Sequence, residues 1–556
     1  MANSIRAVAK WAWGYRLALL LLWLLAVCLV QPTGNFSIND DWSYGTAVKH
    51  LLKTGHFQLV WNTTPALVTQ VLWGAVFCKL FGFSFVTLRA STLVMSILGV
   101  LAFYDTLLLI GARRNVAFAG SLLLMSSPFF FCLAFSFMTD SFFLSIMIFS
   151  LFFLLRQLET GSKRDLVLGI VLAMCATLTR QIGICIPAAW GVLHSLRAVK
   201  RSKDLAADLV KAWVPLAIVG GSLVIYSGWL KMRGEAPVYA NLMVHELINA
   251  LRHPNPTVHA LQWEVRGIIP YTGMLLFPVL PIIWQRIHSA GKTSTAAWVA
   301  SSCWIVGMAA FLALRHKPLP PMFYNVLEQV YMIGPYKTGL WYLVSIAGII
   351  AGCMLILLLF HGIGSLRDDI DTNLPMQRFQ FLFLLFCIYY LPTLLVDVFY
   401  DRYITPTIPI CFMMILLWTQ RNHQESEPSG ARLAMVASFV LLAGYGLFSV
   451  LGTRDYFAYH RADWMARRYL LSQGVAPREL FHEFNSDGEF LDISQAAMRG
   501  PTPAYSSGYM VVPSVTYTTS QIVTTPVSES QIEQRYPVHL LLNSCSLDIY
   551  VLNLKR

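Results

Sequence analysis

The sequence predicts an all-α polytopic membrane protein of about thirteen transmembrane helices, followed by a small C-terminal soluble α/β domain. Three observations carry this. Of the 556 residues, 56 % are hydrophobic and only 13 % charged, with a mean hydropathy of +0.57; a soluble surface needs more charge to stay solvated. Apolar runs of about 17–23 residues recur along the chain, each long enough to cross a bilayer core. After Val450 the pattern stops, and no further run reaches span length.

The elements follow in order. The N-terminus, MANSIRAVAKWAWGYRLALLLLWLLAVCLV, starts basic, and no small-residue cleavage site follows Val30, so an uncleaved signal anchor is expected. Its apolar part, 14–30, is the first span. Ala66–Ser84 is apolar but short, contains Gln70 and Lys79, and ends in a Phe-Gly turn; we expect it to lie in the interface. Further spans are expected near 88–110, 116–135, 141–157, 166–179, 182–196, 212–230, 267–285, 296–314, 340–361, 379–399, 404–420 and 433–451. With Ala66–Ser84 lying flat, the short loops richest in Lys and Arg fall on one side, which the positive-inside rule makes the cytoplasmic one. The N-terminus is then inside and the C-terminus outside.

The expected division is a transmembrane domain over 1–451, with an outer loop at 31–87, and an outer α/β domain over 452–556. In that tail YHRADWMARRYLL (459–471) has helical periodicity, while YMVVPSVTY, QIVTTPV, PVHLLLN and LDIYVLNL resemble short strands between Pro, Ser and Asn breaks. The net charge of +12 does not point to nucleic acid, because much of the Lys and Arg sits in short loops where it sets orientation. Ten cysteines stand singly, mostly in apolar runs, and are expected as buried free thiols rather than disulfides or metal ligands. No metal-ligand spacing appears.

Several ionisable residues collect at one expected depth. Asp40 and Asp41 follow the first span in FSINDDWSYG; Asp140 stands in FSFMTDSFF; Arg180–Gln181 interrupts the apolar stretch 166–196; Arg402 lies in DVFYDRYITP. Each has a plain structural reading. Asp40 or Asn39 could cap a helix beginning near Trp42, and Asp140 with Thr139 could cap the next span. Arg180 could anchor a span end, and Arg402 could pair with Asp401 or Asp397. Asp105 reads as a helix-packing polar residue. Together, however, carboxylates and cations at one depth of a membrane protein default to a functional site. A carboxylate there can deprotonate an alcohol, and arginines and tyrosines can hold a departing phosphate. A phosphate on a polyisoprenoid tail would lie at this depth.

The order of these features resembles the GT-C superfamily of polyprenyl-phosphate-sugar glycosyltransferases, closest to the bacterial branch related to protein O-mannosyltransferases and the lipid A aminoarabinose transferase. The family-like features are Asp40-Asp41 with Tyr44, then LLKTGHF (51–57), Pro65, Phe81-Gly82, Arg89, Pro128 and Asp140. Thr179-Arg180-Gln181 stands where the family has a Thr-Lys-Gly-like motif, and Arg402-Tyr403-Ile404-Thr405-Pro406 matches its Arg-Tyr-x-x-Pro motif. The resemblance covers about residues 1–450 and, more weakly, 454–480. It implies a GT-C-like fold and an inverting transfer with Asp40 as general base, aided by Asp41 and Asp140. It assigns the donor phosphate to Arg180, Arg402, Tyr403 and Arg89, and the acceptor or sugar to Tyr44 and Trp42. It implies a polyprenyl-phosphate-linked sugar as donor, a protein, lipid or polysaccharide acceptor, and no required cofactor, a divalent cation being possible in principle. It places a multi-pass protein in the plasma membrane, with its site and tail on the periplasmic or extracellular side. A secondary transporter or lipid-linked substrate translocator is the alternative, and a scaffold presenting the tail is a third reading.

Overall fold

The computed structural model describes residues 2–60, 63–64, 66–237, 248, 252, 267–290, 294–319, 326–331, 338–366, 373–393, 400–420, 430–475, 480–481, 517–520, 532–542 and 545–553. The structure is mostly helical. In chain order the helices are α1 (Ala2–Val30), α2 (Asp41–Thr54), α3 (Val68–Phe81), α4 (Phe85–Leu109), α5 (Arg114–Ser126), α6 (Pro128–Ala134), α7 (Thr139–Thr160), α8 (Lys163–Thr177), α9 (Cys185–Arg201) and α10 (Leu205–Met232). They continue with α11 (Leu280–Ala290), α12 (Thr295–Arg315), α13 (Val326–Tyr331), α14 (Thr338–Ser365), α15 (Leu374–Thr393), α16 (Thr407–Gln420) and α17 (Ala431–Ser472).

Among the described residues ten helices are long and apolar enough to cross a membrane, or eleven if the bent pair α5–α6 counts as one span. Eleven of the thirteen expected stretches coincide with these. The stretch expected at 166–179 is the 15-residue α8. That at 379–399 falls on α15, where Gln377, Arg378 and Gln380 dilute the apolar run. The α5–α6 pair bends by 62°, where Pro128 opens α6 with no N–H to give. The 14-residue α3 is about 21 Å long, too short to cross.

The helices pack around one large apolar core. Where the stretch 267–276 meets α14, a Cβ on Gly273 would stand 2.0 Å from the Gly348 carbonyl, so only glycine permits the approach. The described cysteines are free. Cys78, Cys132, Cys185, Cys353 and Cys411 are buried, whereas Cys28 and Cys303, expected inside, face outward on apolar helices.

The composition change at 451–452 lies inside one helix: α17 runs 42 residues without a break, about 63 Å. Beyond it β1 (Leu480–Phe481), β2 (Tyr517–Ser520), β3 (Ile532–Leu540) and β4 (Cys545–Asn553) form a sheet of order β1-β2-β4-β3. The pair β1–β2 is parallel, and β2–β4 and β3–β4 are antiparallel. Ala462, Ala466 and Leu470, one face of α17 at four-residue spacing, bury themselves on Val538, Leu540, Ile549 and Val551. Asp455 fixes the turn after β3, its two oxygens accepting the Leu541 and Leu542 N–H groups at 2.8 and 2.7 Å. Of the expected strand PVHLLLN, Pro537–Leu540 lies in β3 and Leu541–Leu542 in the turn after it; of LDIYVLNL, Leu547–Asn553 lies in β4; Asn543 and Leu554 are outside the described residues. YMVVPSVTY meets the described residues only at Tyr517, and QIVTTPV lies outside them.

Candidate functional site

Four separated elements bring charge to one place. Asp40 precedes α2, Asp140 opens α7, Arg180 ends the α8 turn, and Arg402 lies in the short 3₁₀ helix Asp401–Ile404. Arg180 pairs directly with Asp140 and donates to Thr139 Oγ1 at 3.2 Å. Arg402 stands between the two acids, Nη2 lying 3.9 Å from Asp40 Oδ2 and Nε 3.9 Å from Asp140 Oδ1. Tyr403 faces both cations, with Arg180 5.2 Å and Arg402 5.9 Å from its ring centre.

The capping readings can be checked residue by residue. Asp40 occupies the N-cap position of α2, yet its side chain accepts no capping hydrogen bond. Asp140 sits inside the first turn of α7, one residue past Thr139. The described partners of Arg402 are Asp40 and Asp140, whereas Asp401 Oδ1 accepts the Val326 N–H at 3.1 Å. Asp397 and Pro65 lie outside the described residues.

The scaffold explains why the acids meet. Gln70 of α3 donates to the carbonyls of Phe137 at 2.7 Å and Met138 at 3.3 Å, fixing the turn that presents Asp140. Gln181 donates to the Thr64 carbonyl at 2.8 Å, and the Leu67 N–H to the Thr179 carbonyl at 3.2 Å. The turn bearing Arg180 is thus docked on the entry to α3. Gln181, where the motif has glycine, opens the 3₁₀ turn Gln181–Ile184 and is not among the residues with positive φ, so no left-handed backbone requires a glycine there.

Other expected site residues are placed differently. Asp41, fully buried, turns its carboxylate to backbone: Oδ1 accepts the Ile38 N–H at 2.5 Å and Oδ2 the Phe137 N–H at 3.3 Å. It ties the Asp40 loop to the Asp140 turn. Arg89 donates to the carbonyls of Pro32, Gly34 and Phe36 rather than joining the acids. Trp42 is buried in the main core. Tyr44, one turn beyond Asp40, is within electrostatic reach of Asp40, Arg402, Arg180 and Asp140. Burial raises its phenol well above the usual value, so it stays protonated and able to donate. Two neighbours escaped the sequence reading. Tyr400 stacks under Arg402 at 4.8 Å, and Tyr389 donates to the Tyr403 carbonyl at 3.1 Å. Their sequence signal was tyrosines clustered at two adjacent span ends.

The electrostatics are poised. Asp40 keeps 31 % of its side chain exposed, so it is wet on one side. Protein packed on the other side raises its pKa, Asp140 adding to the rise, while Arg402 and Arg180 pull it down. Arg402 is 8 % exposed, yet its Nε and Nη1 have no hydrogen-bond partner among the described residues, nor does Asp140 Oδ2. A buried guanidinium with open donors is costly unless an anion completes it. Among the described residues no group of three or more His, Cys, Asp or Glu side chains could hold a metal ion.

Residues 68–226 match the family model described as dolichyl-phosphate-mannose-protein mannosyltransferase. No curated protein matches the chain. Among solved structures, ArnT from Cupriavidus metallidurans bound to undecaprenyl phosphate aligns at 13 % identity and TM-score 0.42, over 97 % of this chain and 98 % of its own. The oligosaccharyltransferase AglB from Archaeoglobus fulgidus, in complex with an inhibitory peptide and a dolichol-phosphate, aligns at 13 % and 0.42, over 91 % and 62 %. At that level neither alignment carries a functional argument. The family match spans α3 to α10 and includes Asp140 and Arg180, while Asp40 and Arg402 lie outside it. The chain is thus a multi-pass membrane protein that is similar, over residues 68–226, to the dolichyl-phosphate-mannose-protein mannosyltransferase family.

Proposed function

We propose that this chain is a GT-C-type glycosyltransferase with a polyprenyl-phosphate sugar donor, and that it transfers the sugar to an acceptor hydroxyl by a single inverting displacement with Asp40 as general base. One observation carries the reading: the half-exposed carboxylate of Asp40 stands beside a buried arginine, Arg402, that has hydrogen-bond donors to spare. In the step, Asp40 takes the hydroxyl proton as the acceptor oxygen attacks the anomeric carbon. The bond from that carbon to the phosphate oxygen breaks, and its electron pair leaves with the lipid phosphate. Arg402, with Arg180 and Tyr403, meets the growing negative charge. Asp140 holds the two arginines at the right spacing, and Tyr44 offers a hydroxyl donor to sugar or acceptor. Asp41 shapes the loop.

The site and the α17 sheet lie on the extracytoplasmic side of the plasma membrane in this reading, because the basic short loops fall at the other end. The acceptor is a protein, lipid or polysaccharide hydroxyl reached from water.

Asp40→Asn tests the base. Transfer should fall by about 10²–10⁴-fold, measured as mass-spectrometric product from undecaprenyl-phosphate sugars with the purified full chain. The fold should not suffer. A carboxyl whose folded pKa is raised favours the folded state below its unfolded pKa and loses that contribution as pH rises through the folded value. At neutral pH a neutral amide is therefore no worse for stability than the buried charge. Full activity in Asp40→Asn would remove Asp40 from the role.

A further inference from the structure

Residues 31–40 join α1 to the site without entering a helix or strand, so their backbone groups need other partners. Arg89 provides them. It lies near the start of α4 and is 1 % exposed. Its guanidinium donates to the carbonyls of Pro32 at 3.4 Å, Gly34 at 2.7 Å and Phe36. The same plane lies 4.5 Å from the Phe36 ring centre and 5.1 Å from that of Phe457 on α17. Asn35 Oδ1 accepts the Phe85 N–H at 2.8 Å, tying the loop to the start of α4.

From the other side α17 closes on the loop. Phe36 packs on His460 and Trp464, each 6.1 Å between ring centres, and Arg461 donates to the Gln31 carbonyl at 2.6 Å. Gly34 makes the turn possible: its φ is +108°, and a Cβ there would stand 2.3 Å from the Phe36 ring. Glycine alone lets the chain present a carbonyl and a ring to one guanidinium here. Arg89 thus holds the middle of the ten residues that end at Asp40, at Pro32, Gly34 and Phe36, and Asp41 holds the next stretch through the Ile38 N–H.

We propose that Arg89 is a positioning residue, the fixed jaw of a clamp whose other jaw is α17, and that it acts on the reaction by holding Asp40. This rests on Asp40 being the base. It replaces the donor-phosphate role expected for Arg89, because both terminal nitrogens of the guanidinium, Nη1 and Nη2, are spent on the three carbonyls of the loop. It also gives α17 a function: the helix that carries the soluble sheet is the one that grips the base's loop.

Arg89→Lys keeps the charge but lacks the planar fork that reaches several carbonyls. With the full chain in detergent, kcat should drop by about a hundredfold. The KM for the lipid donor should stay within about threefold, the mark of a lost transition-state contribution rather than lost binding. Amide exchange over residues 31–40 should quicken, while exchange in α7 stays the same. Gly34→Ala should reproduce both effects with Arg89 intact. In an Asp40→Asn background, Arg89→Lys should lower the residual rate no further. A raised KM with kcat preserved would return Arg89 to the donor phosphate and overturn the clamp, as would unchanged exchange over 31–40. Exchange is read without turnover, so an active Asp40→Asn enzyme would defeat the base assignment while leaving the clamp to be judged on its own.

Discussion

Arg402 and Arg378 are both buried arginines of the same bundle, and they do opposite things with their donors. Arg378, 4 % exposed on α15, is saturated. Its Nε and Nη2 donate to the Leu155 carbonyl at 3.2 and 3.1 Å, its Nη1 to the Leu109 carbonyl at 3.1 Å, and Nη2 also to Glu159 at 2.7 Å. It stitches α4 and α7 together near their C-terminal ends. Arg402 has two charge contacts at 3.9 Å and donors left over. A saturated buried cation contributes to the fold; an unsaturated one is held ready for a ligand. The difference assigns structure to one end of the bundle and chemistry to the other.

The largest effect that sharpens this contrast is Arg402→Met. Loss of a preorganised cation facing the leaving phosphate should lower transfer by about 10²–10³-fold, with little loss of thermal stability, since few hydrogen bonds depart with it. Arg378→Met should do the reverse. It strands the Leu109 carbonyl and removes two bonds to the Leu155 carbonyl, while Glu159, 47 % exposed, can turn to water. The cost is about 2–3 kcal/mol, seen as a lower melting midpoint in detergent, with kcat and KM of the folded fraction unchanged. A dead but stable Arg378→Met enzyme would break the comparison.

The next test is the acidic limb of the pH–rate profile. If Asp40 must be ionised, kcat/KM rises with pH through its pKa, which burial places above the ordinary carboxylate range. Arg402 lowers that pKa and Asp140 raises it. Arg402→Met should therefore move the limb to higher pH, and Asp140→Asn to lower pH. Shifts in the same direction for both variants would show that the limb belongs to another group.

The same contrast shows what the sequence could disclose. Asp40, Asp140, Arg180 and Arg402 were legible as one set because each interrupts or ends an apolar run, and membrane depth is written in hydropathy. Which arginines are held by backbone carbonyls was not legible. Arg89, Arg378 and Arg402 each stand singly at or near the end of an apolar run, and the carbonyls that occupy the first two belong to chain paths that no periodicity encodes. Nor could the doublet say which aspartate would face water; that was decided by the Ile38 and Phe137 N–H groups that Asp41 accepts. In α17 the helical pattern of 459–471 was readable. Its continuity with the preceding span was hidden, because charge enters at Arg454 and Asp455 while the backbone keeps its course.

The smallest effect is expected at the pair that resembles the site most closely in composition. Asp105 lies on α4 sixteen residues after Arg89, about 24 Å along the helix. It pairs with Arg16 of α1, Oδ1 lying 2.6 Å from Nη2 and 3.1 Å from Nε. The two side chains are 26 % and 36 % exposed, so solvent screens them. Arg16 is also held over the rings of Trp13 at 5.3 Å and Tyr104 at 5.7 Å. Asp105→Asn keeps an oxygen acceptor for Arg16 and removes only the charge. The loss should stay below about 1 kcal/mol and shrink further in high salt, read from melting midpoints of the single variant and of its pair with Arg16→Gln. Transfer should be untouched. A tenfold loss of activity in Asp105→Asn, about 1.4 kcal/mol in barrier, would mean that this end of the bundle also acts on the reaction, and the division between a structural end and a chemical end would fail.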